Sequence, residues 1–440
     1  MNYFLGRILL FILNIKWVDK KITDYLFSRI SSMKLSQPEN PRLFWGVTPI
    51  INFSVYSKSV KDKFVSETVM RNHYFIHKKE DFDLYYEDIL ERAFKKYPKF
   101  LKQKYERFVL LAYAARNYEI FHVSCDGLFF GDTSYYRKEI EVLKQLKKKI
   151  VVLPYGSDAY MYSKIFDLSF RHAMLISYPE GARRERIISE RFAFFTEIAD
   201  CIFSGSFLDG VGRWDLLLPM VYCIDTSKWK NKKEYSTADG SNGAVKIIHT
   251  PNHRGVKGTE FLLAAIEELK QEGLKVDLLL IENMKNDQVQ QIMFNEADIL
   301  VEQLICVGHG VSAIEGMSTG IPVLSNLSDK HITTVFRRYS YLNECPIVST
   351  NPETLKSNLR VLITNPQLRK EIGEAGRSYV EKYYTKEFMS YVFNNIYDKI
   401  WYNKQVDLMN LFHPKRPTSY NNQKPLVKHP LVDNNLILNK

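Results

Sequence analysis

The 440-residue sequence has no CxxC pair, and its five cysteines (Cys125, Cys201, Cys223, Cys306, Cys345) are odd in number and widely scattered. That usage argues against a structural zinc site and for a reducing compartment. Long apolar runs are also missing. The longest uncharged one near the start, ILLFILNI at residues 8–15, falls far short of the ~20 residues that span a bilayer. It also lacks the small-residue cleavage site of a secretory signal. The expectation is therefore a cytoplasmic protein. No zinc-finger, RRM-like or helix-turn-helix pattern occurs, so nucleic acid is not the expected partner.

What is present is ordinary for a globular chain: 45% hydrophobic, 25% charged and 13% aromatic residues. The length exceeds one ordinary core and predicts two domains. The 61 basic side chains outnumber the 50 acidic ones, for a formal charge of +11. An anionic membrane surface and phosphorylated small molecules are the partners this balance fits.

Residues 1–40 form a basic, apolar lead with Arg7, Lys16, Lys20, Lys21, Arg29 and Lys34. Two readings of it stand: a helix lying on a membrane or another protein, or a helix packed on its own domain. From 41 to 228, short apolar runs (RLFWG, YEIFHVS, KIVVLPYG, DCIFSGS) alternate with helical periodicity. That alternation predicts an α/β domain with a doubly wound parallel sheet. A polar stretch, 229–244, reads as an interdomain linker. The alternation restarts over 245–385 with VKIIHT, VDLLLIE, DILVEQ, IPVLS and PIVST, a second Rossmann-like domain. Residues 386–402 continue as a returning helix. The last segment, 403–440, is rich in proline and asparagine and is expected to be a mobile tail.

Chemistry concentrates after the first strand of the second domain, in HTPNHRGVKGTEFLLAAIEEL (249–269). Cations are disfavoured at a helix N-terminus, so an anion is expected against them. Arg254 offers a planar donor fork and Lys257 a point charge, both suited to phosphate. Gly255 and Gly258 would let the backbone approach the ligand. The competing reading is a solvated basic turn. A second anion cradle is expected in VGHGVSAIEGMSTGIPVL (307–324). There Gly308 and Gly310 precede a helix whose first amides, near Val311 and Ser312, face outward. Glu315, one turn in, can accept two hydroxyl hydrogen bonds, as a ribose requires. Two such domains are expected to enclose a cleft at the C-terminal ends of their strands.

At these residues the sequence resembles the retaining glycosyltransferases of family 4, which have the GT-B architecture, and specifically those of bacterial surface-polysaccharide synthesis. The motifs that carry the resemblance are HTPNHRGVKGT, ADILVEQL and GHGVSAIEGMSTGIPVLSN. Weaker matches are IFHVSCDG, LPYGSDAY and LLLPMVYCIDTSKW. The resemblance implies a nucleotide-diphosphate sugar as donor, held mainly by the second domain, and no further cofactor or metal. It implies a glycan or lipid-linked acceptor held mainly by the first domain, with the enzyme peripheral on the cytoplasmic membrane face. By the same resemblance Arg254 and Lys257 bind the diphosphate and stabilise its departing charge, and Glu315 holds the ribose. Gly255, His309, Gly310, Val311 and Ser312 complete the donor side. Gly46, His122 and Asp158 are candidates on the acceptor side. For His122 a buried structural role stands beside that one, and for His309 a capping role.

The chain departs from the family at two positions. The first glutamate of the family's pair falls on Val307, and the histidine of its His-Gly-Ser-Asp stretch falls on Tyr155. Two further stretches carry weaker expectations. DFD (81–83) is read as ordinary helix-capping aspartates rather than a metal motif. GARRER (181–186) is read as a solvated helix face or a contact for lipid phosphate. Two rival functions remain open at this level: a degenerate GT-B protein that binds nucleotide sugar or a partner transferase without turnover, and a sugar-nucleotide epimerase or phosphorylase.

Overall fold

The computed structural model describes residues 15–74, 77–95, 99–204, 212–416, 420 and 427–432. The chain divides into two compact units. The first takes the chain up to Leu153 with Phe194–Cys201 and Tyr397–Lys404; the second takes Pro154–Ala193, Ile202–Ile396 and the chain from Gln405.

The first unit is built on strands β1 (Leu43–Val47), β2 (Ser66–Met70), β3 (Leu84–Tyr85), β4 (Ile120–Val123), β5 (Lys149–Val152) and β6 (Cys201–Ile202). Their order among the described residues is β3-β2-β1-β4-β5-β6, with parallel pairing from β3 through β5. The central segments LFWGV, IFHV and KIVV are nearly continuous apolar runs because a parallel sheet is covered on both faces. Strand order reverses between β1 and β4, the place where such sheets open a crevice.

The described part of the lead has one face packed on its own domain, while Trp17 and Tyr25 are exposed. Helix Lys16–Ser31 buries Thr23, Phe27 and Ile30. The Phe27 ring meets Phe108 and Phe130 at centroid distances of 5.0 Å, and Lys104 reaches Asp19 at 2.7 Å. This helix packs on its own unit. Residues 1–14 lie outside the described residues. Among the described residues no helix is long and apolar enough to cross a membrane.

The second unit carries β7 (Val245–His249), β8 (Val276–Leu280), β9 (Ile299–Val307), β10 (Val323–Asn326) and β11 (Val348–Ser349) in the order β11-β10-β9-β7-β8. The pairs are parallel. β9 lies at the centre and runs longer than the DILVEQ stretch suggests, reaching Val307. Helices such as Thr259–Gln271 and Pro352–Thr364 bury leucine-rich faces against this sheet. Helix Lys386–Ile400 starts in the second unit and ends in the first.

Three boundaries differ from the sequence expectation, each for a packing reason. Residues 154–193, expected with the first domain, group with the second unit. Phe170 and Met174 of helix Leu168–Ser177 share a core with Val256 and Ile305 there. The expected linker 229–244 is fastened to the same unit. Trp229 is buried, its carbonyl accepts from Arg377 and Ser318, and Lys232 donates to the Ala297 carbonyl. The expected mobile tail is packed where it is described. Leu408, Leu411 and Phe412 are buried, Phe412 lies 5.0 Å from the Phe388 ring, and Val432 joins the core of the second sheet. Apolar side chains spaced without helical or strand period left no signal of this in the sequence.

Candidate functional site

β7 ends at His249, whose ring is fully buried between two elements. Nδ1 lies 2.7 Å from the Val301 carbonyl and Nε2 2.9 Å from the Thr259 hydroxyl. Burial pushes its pKa down to about 4, so it is neutral and ties the end of β7 to the start of helix Thr259–Gln271. Between them, Arg254–Lys257 forms one short helical turn, ended by Gly258 in the left-handed region at φ 72°. That conformation is the reason glycine stands there. Its side-chain direction is also filled: a Cβ would lie 2.8 Å from Leu304 Cβ. At Gly255 a Cβ would meet Ser177 Oγ at 2.9 Å. Both glycines allow close packing within the unit.

The turn sends its two cations to different partners. Arg254 is part-exposed, with Nε 2.7 Å from Glu260 and Nη1 3.2 Å from Glu282. Lys257 runs inward. Its ammonium donates to the Glu302 carboxylate and, at 3.1 Å, to Gln303 Oε1. Glu302 sits in mid-β9 with its side chain wholly buried. It also accepts from Ser312 Oγ at 3.1 Å, Ser325 Oγ at 2.9 Å and the Gly310 N–H at 3.4 Å. Burial acts to raise this carboxyl, but the charge and hydrogen bond of Lys257, with Ser325, outweigh it and hold it below its ordinary range.

Within the protein, the anion against Lys257 is Glu302. Lys257, Gly310 and Ser312, three of the expected donor-side residues, converge on Glu302. An ammonium has three N–H donors. Glu302 and Gln303 take two, and the third has no partner among the described residues.

The loop Gly308–Gly310 is fixed from below. The Gly308 N–H donates to the Asn326 carbonyl at 2.7 Å, and its carbonyl lies 2.7 Å from Ser325 Oγ, whose one proton is shared between that carbonyl and Glu302. Helix Val311–Ser318 follows with Gly310 as its N-cap. Gly316 lets this helix lie on β9 and β10, since a Cβ there would meet Leu300 Cδ2 at 2.5 Å. Glu315, buried one turn in, accepts from Asn286 Nδ2 at 2.9 Å. Burial pushes its pKa up to about 7 against the help of Asn286, and the charge of Glu302 adds to the rise. His309 is buried and neutral, its pKa pushed down to about 4 by burial, with Nε2 3.5 Å from the Tyr384 hydroxyl. Val307 is buried at 2% exposure, and its side chain offers no hydrogen-bonding group.

Each expected acceptor-side residue is engaged within its own unit. His122 is fully buried in the first unit. Its ring stacks on Trp45 at 3.5 Å, Nδ1 faces the Phe44 carbonyl at 3.0 Å, and Nε2 meets the Tyr397 hydroxyl at 3.0 Å. Burial pushes its pKa down to about 3. This is the structural role, and it corrects the acceptor-side expectation. Gly46 is required by strand pairing, because a Cβ would fall 2.3 Å from the Val69 carbonyl oxygen. Asp158, in the second unit, accepts from the Tyr155 and Gly156 N–H groups at 3.0 and 2.9 Å and so caps its own turn. The DFD aspartates likewise serve the backbone: Asp81 accepts from Lys78 N–H and Asp83 from Thr68 N–H. In GARRER, Arg183 pairs with Glu180, and Arg184 and Arg186 are exposed.

Sequence reasoning did not single out Glu302, Gln303, Ser325 or Asn286. For the first two a signal existed: two polar residues in the middle of an otherwise apolar strand.

The sequence matches no protein-family model, and no curated protein sequence matches it. Solved structures do match. A sucrose-phosphate synthase from Thermosynechococcus elongatus superposes with a TM-score of 0.51 at 13% identity, over 83% of this chain and 100% of that one. The fold is GT-B. Anabaena Alr3699/HepE, solved in complex with UDP and glucose, has a TM-score of 0.49 at 10% identity, over 80% of this chain and 97% of that one. A glycosyltransferase from Rickettsia africae has a TM-score of 0.48 at 11% identity, over 83% and 100%. In GT-B terms the Lys257–Glu302 cluster lies in the second Rossmann-like sheet, at the reversal of strand order between β7 and β9.

Proposed function

We propose that the chain is a glycosyltransferase that moves a sugar, with retention, from a nucleotide-diphosphate sugar to a glycan or lipid-linked acceptor in surface-polysaccharide or glycolipid synthesis. On this reading it works at the cytoplasmic face of the membrane, where a lipid-linked acceptor is met. The observation that carries the reading is the cluster of Lys257, the Gly310 N–H and the Ser312 hydroxyl around Glu302 at the start of helix Val311–Ser318, with one ammonium N–H that meets no described residue. Such donors beside a helix N-terminus suit a diphosphate.

In the reaction the bond from the anomeric carbon to the diphosphate oxygen breaks. A bond to the acceptor oxygen forms on the same face, and the acceptor's proton passes to the departing phosphate. Charge on that phosphate grows toward the transition state, so Lys257 binds that state better than the ground state. Glu315 holds the ribose.

The test incubates the purified chain with a panel of UDP-, GDP-, ADP- and dTDP-sugars and measures release of nucleoside diphosphate. Release from at least one donor, with the anomeric configuration kept in the product, is the expected result. No release from any donor overturns turnover. A second reading has its own support: Val307 offers no acceptor, and Lys257 already carries an internal counter-ion. It is a protein that binds nucleotide sugar without turnover, and it predicts saturable binding with no release.

A further inference from the structure

Two helices of the first unit, Tyr86–Phe94 and Lys99–Asn117, are packed on their inner faces, where Leu90, Leu110, Leu111 and Ala114 are buried. Beside those faces the two helices leave a groove of about 490 Å³ between them, with Leu84 of β3 at its edge. Asp88 and Arg92 line it from the first helix, and Val109, Ala112, Tyr113 and Arg116 from the second. Steps of three and four residues put each set on one helix face. From Val109 to Arg116 the second wall runs about 10 Å at ~1.5 Å per residue, so the groove is elongated along the helices. The crevice at the C-terminal ends of the strands is a different place. Tyr86, Glu106 and Arg107 line that crevice from earlier positions on the same helices, and the groove shares no residue with it.

The body of the groove is apolar, since Leu84, Ile89, Val109 and Ala112 bring no polar side-chain atom to it. Its charges are unequal in their commitments. Asp88 is engaged: Oδ2 accepts from the Tyr85 N–H at 2.8 Å and caps the first helix. The guanidinium groups of Arg92 and Arg116, one on each wall, make no hydrogen bond or ion pair with any described residue. The balance of the lining is one positive charge, with both planar donor forks open. Such a fork fits a carboxylate. An apolar lining with a few polar groups, in a volume of about 300–1,000 Å³, is the form that small-molecule sites take.

We propose that this groove binds one amphipathic monoanion, an unbranched acyl chain with a carboxylate head. The chain lies on Leu84, Ile89, Val109 and Ala112, and the head on Arg92 and Arg116. The site is independent of the transferase reading above.

The test is calorimetry on the full chain with decanoate below its micelle concentration, with decanol for the chain alone and acetate for the head alone. Decanoate is expected to bind saturably, decanol about tenfold more weakly, and acetate not at all. Arg92 and Arg116 are exposed, so their replacement does not threaten the fold. Arg92→Gln and Arg116→Gln should each weaken decanoate about five- to tenfold and leave decanol unchanged. Ala112→Leu fills the groove and should abolish binding of both; Ala93→Leu, at an exposed lining position, does the same if the first variant does not fold. No saturable decanoate binding, decanol as tight as decanoate, or parent-like decanoate affinity in both arginine variants overturns the proposal. Parent-like binding in the folded leucine variants overturns it as well, because the ligand then lies elsewhere.

Discussion

The Lys257 ammonium donates into the Glu302 carboxylate, at the point where the Gly310 N–H and the Ser312 hydroxyl also arrive. The pair is buried, with side-chain exposures of 11% and 0%. Glu302 thus holds all three donors and fixes the ammonium in place. Arg254 differs: its partners are part-exposed carboxylates, and exposed pairs contribute little to stability.

The first prediction concerns the pair itself. Lys257→Met alone leaves a buried carboxylate without its counter-charge and should cost about 3–5 kcal/mol of stability. Lys257→Met with Glu302→Gln removes both charges and should recover most of that loss. Urea unfolding of the parent, both single variants and the double variant measures this. Additive losses would mean that the two residues act independently. Because the Glu302 carboxyl is held low, its contribution is complete above its unfolded pKa and is lost as pH falls through the lower folded value.

Glu315 runs the other way. Its folded pKa of about 7 stands above the ordinary 4.5, so its stability contribution is present below 4.5 and lost as pH rises toward 7. Ribose hydroxyls are accepted best by the ionised carboxylate. Nucleoside diphosphate affinity should therefore rise about tenfold from pH 6 to pH 8, beyond the ligand's own titration. Calorimetry on the parent and Glu315→Gln isolates the effect, and the same pH slope in both removes Glu315 from the site.

Gly373 sets the position of the site helix. Helix Pro366–Tyr383 packs so closely on the end of helix Val311–Ser318 that a Cβ at 373 would lie 1.9 Å from the Gly320 carbonyl oxygen. Backbone cannot yield as a side chain does, so Gly373→Ala should cost about 1–3 kcal/mol and weaken nucleotide binding with it. Parent-like melting would show that the two helices can separate freely.

The lead helix gives a prediction opposite to a simple membrane anchor. Phe27→Ala should cost about 3–5 kcal/mol, because its ring fills a cluster with Phe108 and Phe130. Removal of residues 1–34 should likewise lower the melting temperature. Unchanged melting with loss of vesicle binding would assign the helix to the membrane alone.

Much of the architecture was legible in the sequence because parallel strands buried on both faces read as apolar runs, and the helices between them keep their period. The two glycine-bearing motifs were legible for the same local reason. What a side chain touches is not local. Nothing in NHRGVKG distinguishes Lys257, which turns inward to β9, from Arg254, which turns out to Glu260 and Glu282. His122 looked poised at a strand end, yet its neighbours Trp45 and Tyr397 come from distant positions. The fastening of 229–244 and 403–416 depends on single buried side chains such as Trp229 and Phe412, which carry no periodic signal.

The central claim is that Lys257 serves a departing diphosphate, and the Lys257→Met, Glu302→Gln double variant tests it most directly, since it removes the cation without leaving a buried charge. Turnover is measured at saturating donor, with the melting temperature as control. A folded double variant slowed on the order of a hundredfold, about 3 kcal/mol, is the predicted result. A folded double variant that turns over at the parent's rate contradicts it.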